Sequence, residues 1–239
     1  MKRILSVFCV TGLMLGMMAS QGHAAAVIID DFTQGSVALL VSFGNAPNPA
    51  TSSQAVANVI GGEREASLLQ LPGGVNSSLN INPPSGRSAY GNVSAQSVAT
   101  LIYDGVGSGG FSATDLTGGG TNDALFARLD VADAGVILKY TLTDTLNNMF
   151  TQTMVTAGAV TNMDIFFLLS GFTGVDVTNV KSVVFSIENG AGESDADARF
   201  SLLAARGVAV PEPTTLVMFG FGALGLVRAA RRRMKVVTV

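Results

Sequence analysis

The chain has 239 residues, and its single cysteine and single histidine, Cys9 and His23, both lie within the first 24. Beyond residue 24 the sequence has no thiol, imidazole or indole. That part of the chain therefore cannot form a disulfide, a Ser–His–Asp or Cys–His catalytic site, or a zinc site with Cys or His ligands. Residues 27–210 contain sixteen acidic and seven basic residues, a net charge of −9, which argues against nucleic-acid binding.

Residues 1–24 have the pattern of a secretory signal peptide. Lys2 and Arg3 precede an apolar run that ends at Met18, and small residues follow it. The run is short for a membrane span, and cleavage after Ala24 satisfies the small-residue rule. An uncleaved membrane anchor is the alternative. We expect export through the Sec translocon and processing by signal peptidase.

Residues 25–210 are predicted to form a single domain of β-strands. The strand-like segments, rich in β-branched residues or alternating with a period of two, are 27–32, 37–43, 123–131, 135–145, 149–157, 163–172, 180–190 and 198–210. Residues 71–88 form either a loop or a peripheral hairpin. Many short strands separated by Gly-rich turns predict an all-β fold, a single jelly-roll-like β-sandwich with few and short helices.

A glycine-rich segment formally matches the G-x-G-x-x-G pattern through Gly105, Gly107 and Gly110. A dinucleotide site requires a helix directly after this turn, so that the amides and the helix dipole face the pyrophosphate. The residues that follow, FSATDLTGGGTND, do not predict a helix. We interpret the segment as a loop.

We expect no cofactor, with a structural calcium ion at carboxylates near the two ends of this domain as the alternative. Asp30 and Asp31 lie in the first strand-like segment, and Asp195 and Asp197 precede the last. Oxygen ligands of this kind suit calcium if the two strands lie side by side, whereas solvated turns are the alternative. No acid–nucleophile pair is distinguished, so we predict no enzymatic activity, and a secreted carboxylate-dependent hydrolase is the weaker alternative.

Three tyrosines bear on sugar binding, which typically uses aromatic platforms. Tyr140 belongs to an alternating apolar set and is predicted to be buried. Tyr90 and Tyr103 either line a groove or, as we favour, pack in the core or at its rim.

The last 29 residues differ from the rest in composition. Pro211, Glu212 and Pro213 predict an extended peptide, because proline lacks an N–H and restrains the preceding residue. The uncharged residues 214–227 would span about 21 Å as a helix, less than the roughly 30 Å of a hydrocarbon core. We therefore expect one short transmembrane helix. By the positive-inside rule the tail is cytoplasmic and the domain lies outside, owing to the basic residues Arg228, Arg231, Arg232, Arg233 and Lys235.

This three-part segment, residues 211–239, resembles the PEP-CTERM sorting signal of Gram-negative bacteria. The resemblance implies recognition by an exosortase, a membrane protease-transpeptidase, with Glu212 as a recognition feature rather than a catalyst. It also implies a transient inner-membrane anchor, cleavage near the motif, and delivery to the cell surface or extracellular matrix. Proteins with this signal often accompany exopolysaccharide and biofilm production, so polysaccharide is an implied partner.

The domain itself resembles galactose-binding-like jelly rolls found in carbohydrate-binding modules. The similar segments are DDF at 30–32, GGER at 61–64, residues 115–144 and residues 179–190. We predict a non-catalytic envelope or matrix protein, with a carbohydrate-binding module as the alternative.

Overall fold

The computed structural model describes residues 26–42, 49–71, 75–93, 96–107, 109–189 and 196–207. These residues belong to one compact unit that ends at Gly207. The predicted signal peptide and the predicted sorting segment lie outside the described ranges.

The regular secondary structure of the described residues consists of β-strands and three single turns of 3₁₀-helix. The turns lie at Ile60–Gly62, Pro83–Ser85 and Leu169–Gly171. The strands are β1 (Val27–Asp30), β2 (Val37–Ser42), β3 (Ala50–Ala55), β4 (Glu63–Gln70), β5 (Asn76–Asn82), β6 (Arg87–Val93), β7 (Ser97–Tyr103), β8 (Ala124–Ala132), β9 (Val136–Asp144), β10 (Met149–Val155), β11 (Val160–Leu168), β12 (Val180–Asn189) and β13 (Ala198–Arg206). The predicted all-β fold is confirmed.

The strands form two antiparallel sheets that make a sandwich. One sheet has the order β11-β8-β13-β6-β5-β2, and β1 also pairs with β13. The other has the order β10-β9-β12-β7-β4-β3. Because β8 occupies one edge of β13, β1 and β6 share the other edge, β1 beside residues 203–205 and β6 beside residues 198–200.

The first and last strands are therefore neighbours. Val27 at the start of β1 pairs with Ala205 near the end of β13, and the two strands are antiparallel. The chain thus enters and leaves the sandwich at the same pole.

Alternating side chains fill the space between the sheets. In β9 the buried set is Val136, Leu138, Tyr140 and Leu142, as the period-two pattern predicts. Rings from both sheets meet at the centre of the core. Tyr140 packs edge-on against Phe167 of β11 with centroids 5.0 Å apart, and Phe185 of β12 packs against Phe200 of β13 at 5.5 Å.

Two segments with ambiguous sequences are resolved by the structure. Residues 76–93 form the hairpin β5–β6, which lies inside the sheet between β2 and β13 and is not peripheral. The described residues of the glycine-rich segment form a loop without a helix. There Gly105, Gly107 and Gly110 have φ values of 83°, 79° and 84°, a region that favours glycine.

Candidate functional site

Asp30, at the end of β1, accepts four hydrogen bonds. Arg64 of β4 donates to it twice, from Nε to Oδ2 at 2.5 Å and from Nη2 to Oδ1 at 2.7 Å. The Tyr103 hydroxyl donates to Oδ2 at 2.7 Å, and the Phe32 amide donates to Oδ1 at 2.8 Å. These four bonds fill the lone-pair positions of a carboxylate.

The guanidinium of Arg64 also fastens the turn that follows β1. Its Nη1 donates to the carbonyl oxygens of Gln34 and Gly35, at 3.0 and 2.8 Å. Its side chain is fully buried, as is that of Asp30. Because Asp30 lies in one sheet and Arg64 and Tyr103 lie in the other, the cluster joins the two layers of the sandwich.

Electrostatics fix the protonation states of Arg64 and Tyr103 near neutral pH. Burial lowers the pKa of Arg64, but the hydrogen bond and charge of Asp30 outweigh that effect and leave the pKa above its ordinary value. Burial, followed by the charge of Asp30, raises the pKa of Tyr103 well above its ordinary value. Arg64 therefore stays charged and Tyr103 stays neutral near pH 7, which suits a structural ion pair rather than proton transfer.

Of the four carboxylates predicted to bind calcium, the structure describes Asp30, Asp31 and Asp197, and it does not place Asp30 near Asp197. Asp30 is committed to Arg64 and Tyr103, and Oδ1 of Asp31 accepts hydrogen bonds from the amide and hydroxyl of Thr33 at 3.0 and 2.7 Å. Asp30 lies beside Leu203, six residues along the chain from Asp197. At about 3.3 Å per residue this is a separation of about 20 Å, far beyond the reach of one ion.

Asp195 lies outside the described residues. Among the residues that are described, no group of three or more His, Cys, Asp or Glu side chains could hold a metal ion. Calcium binding itself stays a prediction, and a comparison of melting temperatures in EDTA and in millimolar calcium tests it.

Neither of the tyrosines considered for sugar binding is accessible. Tyr90 is 2% exposed, and its hydroxyl lies 2.7 Å from Oγ of Ser97 and donates to the Ser97 carbonyl at 3.0 Å. Tyr103 is fully buried against Asp30. The hypothesis that either lines a groove is wrong, because both hydroxyls face inward and find their hydrogen-bond partners in the core. The burial of Tyr140 is confirmed, and its hydroxyl donates to the Phe126 carbonyl at 3.1 Å.

One surface cleft lies between the start of β7 and the end of β12. Its volume is about 170 Å³, below the range of about 300–1,000 Å³ typical of small-molecule pockets. Its lining residues are Leu71, Gln96, Ser97, Val98, Glu188 and Asn189.

The sequence-predicted processing residues all lie outside the described part of the chain. They are Ala24, Pro211, Glu212, Pro213, Arg228, Arg231, Arg232 and Arg233. Within the part that is described, no helix is sufficiently long and apolar to span a bilayer.

The described residues thus form an antiparallel β-sandwich, and the sequence that follows them contains a known motif. Residues 209–233 match the PEP-CTERM protein-sorting motif. This match confirms the resemblance drawn from Pro211, Glu212 and Pro213. The chain carries the C-terminal sorting signal of an exported protein.

Solved structures similar to this chain include carbohydrate-binding modules. The family 11 module of the cellulase Lic26A-Cel5E of Clostridium thermocellum is 10% identical, with 79% of this chain and 99% of that one covered and a TM-score of 0.37. TmCBM61, solved with β-1,4-galactotriose, is 10% identical, with coverage of 69% and 90% and a TM-score of 0.31. An exo-β-agarase is 11% identical, with coverage of 79% and 26% and a TM-score of 0.39. Scores this low support no assignment, and no curated protein matches the chain in sequence.

Proposed function

We propose that this protein is an exosortase substrate, a non-catalytic β-sandwich delivered to the cell surface or extracellular matrix of a Gram-negative bacterium. The motif match at residues 209–233 is the observation that carries the proposal. In this proposal residues 1–24 direct export and residues 211–239 hold the protein in the inner membrane until exosortase cuts near Pro213. Association of the released domain with exopolysaccharide or biofilm belongs to the same proposal.

The topology of the sandwich supports processing at both ends of a folded domain. Val27, three residues after the expected signal-peptidase site, pairs with Ala205, six residues before Pro211. The described strands that are nearest in sequence to the two expected cuts, β1 and β13, are therefore neighbours in one sheet. Neither cut would remove a core strand, because β1 begins at Val27 and β13 ends at Arg206.

Processing would also change the charge of the protein. The five basic residues after Val227 leave with the tail, and residues 27–210 keep their net charge of −9. An acidic domain of this kind stays soluble at the cell surface and does not adhere to anionic lipid or nucleic acid.

Intact-mass analysis of protein extracted from the host surface tests the proposal. In a strain with active exosortase, the mature protein should lack the residues beyond about Pro213. Deleting the exosortase should leave a longer, membrane-bound form, and so should Pro211→Ala/Glu212→Ala/Pro213→Ala. The matched control Thr214→Ala/Thr215→Ala should be processed normally. A surface protein that still ends at Val239 while exosortase is active would contradict the proposal.

Carbohydrate recognition is a separate question for the same domain. Tyr90 and Tyr103 are excluded as its contacts by their burial. Glycan-array binding by the processed protein would therefore have to use other residues, and it would assign a ligand to the domain without altering the sorting proposal.

A further inference from the structure

Strand β10 forms one edge of its sheet. No described strand pairs with the backbone N–H and C=O groups on its outer side. The sheet order ends at β10, which pairs only with β9. Residues 145–163, which contain β10 and the turns on both sides of it, all lie within the described part of the chain. Exposed strand edges of this kind are templates for pairing with another chain.

Two backbone hydrogen bonds, one at each end of the pairing between β9 and β10, show which residues of β10 bond to β9 and which point outward. The Asp144 amide donates to the Asn148 carbonyl at 3.0 Å, and the Thr156 amide donates to the Val136 carbonyl at 2.9 Å. Hydrogen-bonded and non-hydrogen-bonded pairs alternate along an antiparallel ladder. The even-numbered residues of β10 are therefore bonded to β9, and the N–H and C=O groups of the odd-numbered residues point outward. These are Met149, Thr151, Thr153 and Val155.

The outward-pointing N–H and C=O groups of β10 are complementary to those of a second β10 strand related by a two-fold axis at Gln152, the central residue of the strand. If two copies of β10 lie antiparallel with the two-fold axis at Gln152, Met149 faces Val155 of the second copy and Thr151 faces its Thr153. All four outward-facing residues then fall at hydrogen-bonded positions, so the pairing makes eight backbone hydrogen bonds. The sandwich of each copy remains unchanged. The six-stranded sheets of the two copies join into one continuous sheet of twelve strands.

The side chains of β10 also suit a second copy. Met149, Thr151, Thr153 and Val155 are all exposed, Met149 at 68% and Val155 at 58%. Residues 145–163 contain no charged side chain, although residues 27–210 carry a net charge of −9. Two acidic copies can therefore meet along this strand without placing like charges opposite one another. Threonine pairs and β-branched or apolar pairs across an antiparallel ladder are favourable.

Natural edge strands usually carry a device that prevents such pairing, and β10 has none. Its sequence, MFTQTMV, has no lysine and no proline, and its register with β9 runs without a bulge. The neighbouring edge strand β11, in the other sheet, does have such devices. Asn162 has a left-handed φ of 49°, the pairing with β8 is interrupted there, and Asp164 places a charge on the strand. The contrast distinguishes β10 from the edge beside it.

We propose that β10 is a self-association edge, through which two copies of this protein pair antiparallel about Gln152. The inference rests on the described domain alone and does not depend on the proposed sorting function.

Sedimentation equilibrium of the processed protein from the host surface, over a range of concentrations, tests the proposal. We expect a reversible monomer–dimer equilibrium. Thr151→Glu/Thr153→Glu places glutamates opposite each other twice in the pairing and should weaken dimerisation about tenfold or more. Thr151→Lys/Thr153→Glu places Lys opposite Glu in the same two positions and should preserve the dimer. The control Ala38→Glu/Leu40→Glu adds the same charge to exposed positions of β2 and should also preserve it.

Thermal unfolding by circular dichroism verifies that each variant is folded. Disulfide cross-linking tests the register of the pairing with small substitutions. The processed protein contains no native cysteine, so only the introduced cysteines can react. A mixture of Thr151→Cys and Thr153→Cys proteins should form disulfide-linked heterodimers, because the Cα atoms of a hydrogen-bonded pair lie about 5.5 Å apart. A wild-type protein that stays monomeric at all concentrations overturns the proposal. Equal weakening of the dimer by Thr151→Glu/Thr153→Glu and by Thr151→Lys/Thr153→Glu also overturns it. So does a mixture of the two cysteine variants that yields no more disulfide-linked dimer than either variant yields alone.

Discussion

Arg64 and Asp30 form a bidentate ion pair between the two sheets of the sandwich, and neither side chain has any exposed surface. Every lone-pair position of the carboxylate is used, since the Tyr103 hydroxyl and the Phe32 amide complete the set. A buried pair of this kind adds little net stability compared with apolar residues, because desolvation offsets the attraction. Removing only one partner is costly, because the other charge remains buried.

Breaking this pair should destabilise the domain more than removing one of its hydrogen bonds. Arg64→Met leaves the Asp30 carboxylate buried and uncompensated, so we expect the free energy of unfolding to fall by about 3–5 kcal/mol. Tyr103→Phe removes a single hydrogen bond to the same carboxylate and should cost about 1.5–3 kcal/mol. Denaturant unfolding of the processed protein, followed by circular dichroism, measures both. A loss from Arg64→Met no larger than that from Tyr103→Phe would contradict the structural role of the pair.

The double variant Arg64→Met/Asp30→Leu provides the matched control. It removes both charges at once, so it should be more stable than Arg64→Met alone. If the two variants are equally unstable, packing rather than the unpaired charge explains the loss.

An alternation of apolar and less buried residues is visible in the sequence of some strands and hidden in that of others. In β12, Val183, Phe185 and Ile187 alternate with less buried residues, and the alternation is visible in the sequence. In β4 the buried set is Arg64, Ala66, Leu68 and Gln70, and two polar residues on the inward face hide the pattern. β3 reads ATSSQA, with no buried residue to mark it. The sequence therefore does not predict β3, an edge strand of its sheet, or its neighbour β4.

The polar cluster was not predictable for a different reason. Asp30, Arg64 and Tyr103 are separated by 34 and 39 residues in the sequence, and no local pattern indicates that they meet. Their contact depends on the sheet order, which places β4 and β7 opposite β1. The sorting motif, in contrast, is a contiguous sequence signal and could be recognised without a structure.

Arg206, the last residue of β13, should stabilise the outer face of its sheet. Its guanidinium carbon lies 4.0 Å from the ring centroid of Phe126 and 5.3 Å from that of Phe166, and Nη2 donates to Oδ2 of Asp164 at 2.5 Å. This cover explains why Phe126 is 1% exposed although it points away from the core between the sheets.

We expect Arg206→Ala to lower the free energy of unfolding by about 1–2 kcal/mol, because it removes the cation–π contact and uncovers Phe126. Arg206→Lys keeps the charge but loses the planar stacking, so it should fall between the wild type and Arg206→Ala. The exposed Arg199 of β13 is the control, and Arg199→Ala should change stability by less than about 0.5 kcal/mol. Thermal melts of the three variants measure the order, and equal effects of Arg206→Ala and Arg199→Ala would contradict the prediction.

Asp104 should be a site where removing a charge stabilises the domain. Burial, followed by the charges of Glu65 and Glu63, raises the pKa of Asp104, and its Oδ1 is a buried atom without a hydrogen-bond partner in the described structure. Because its folded-state pKa is raised, the ionised form is disfavoured by folding at neutral pH.

Asp104→Asn should therefore raise the melting temperature at pH 7, by an amount corresponding to less than about 1 kcal/mol because solvent screens the repulsion. At pH 3 the carboxyl group of the wild-type protein is protonated, and the advantage of the variant should largely disappear. Melts of the two proteins at both pH values make the comparison. A variant that is less stable than the wild type at pH 7 would contradict this account.

Acid should weaken the domain through Asp164 and Asp144, whose pKa values are both lowered. The Arg128 hydrogen bond, opposed by burial, lowers the pKa of Asp164, and Arg206 adds to the effect. Burial tends to raise the pKa of Asp144, but hydrogen bonds from Asn148, Asp176 and Leu146 outweigh it.

A carboxylate with a lowered folded-state pKa contributes stability above the unfolded-state value of about 4, and this contribution is lost as the pH falls through the folded-state value. The free energy of unfolding should therefore be nearly constant from about pH 7 to 5 and decrease below about pH 4. Asp164→Asn should lower stability at pH 7 by about 1 kcal/mol or less and make the acid limb of the curve shallower. Urea unfolding at half-unit pH intervals gives the two curves, and an acid limb equally steep in Asp164→Asn and wild type would show that Asp164 does not contribute to it.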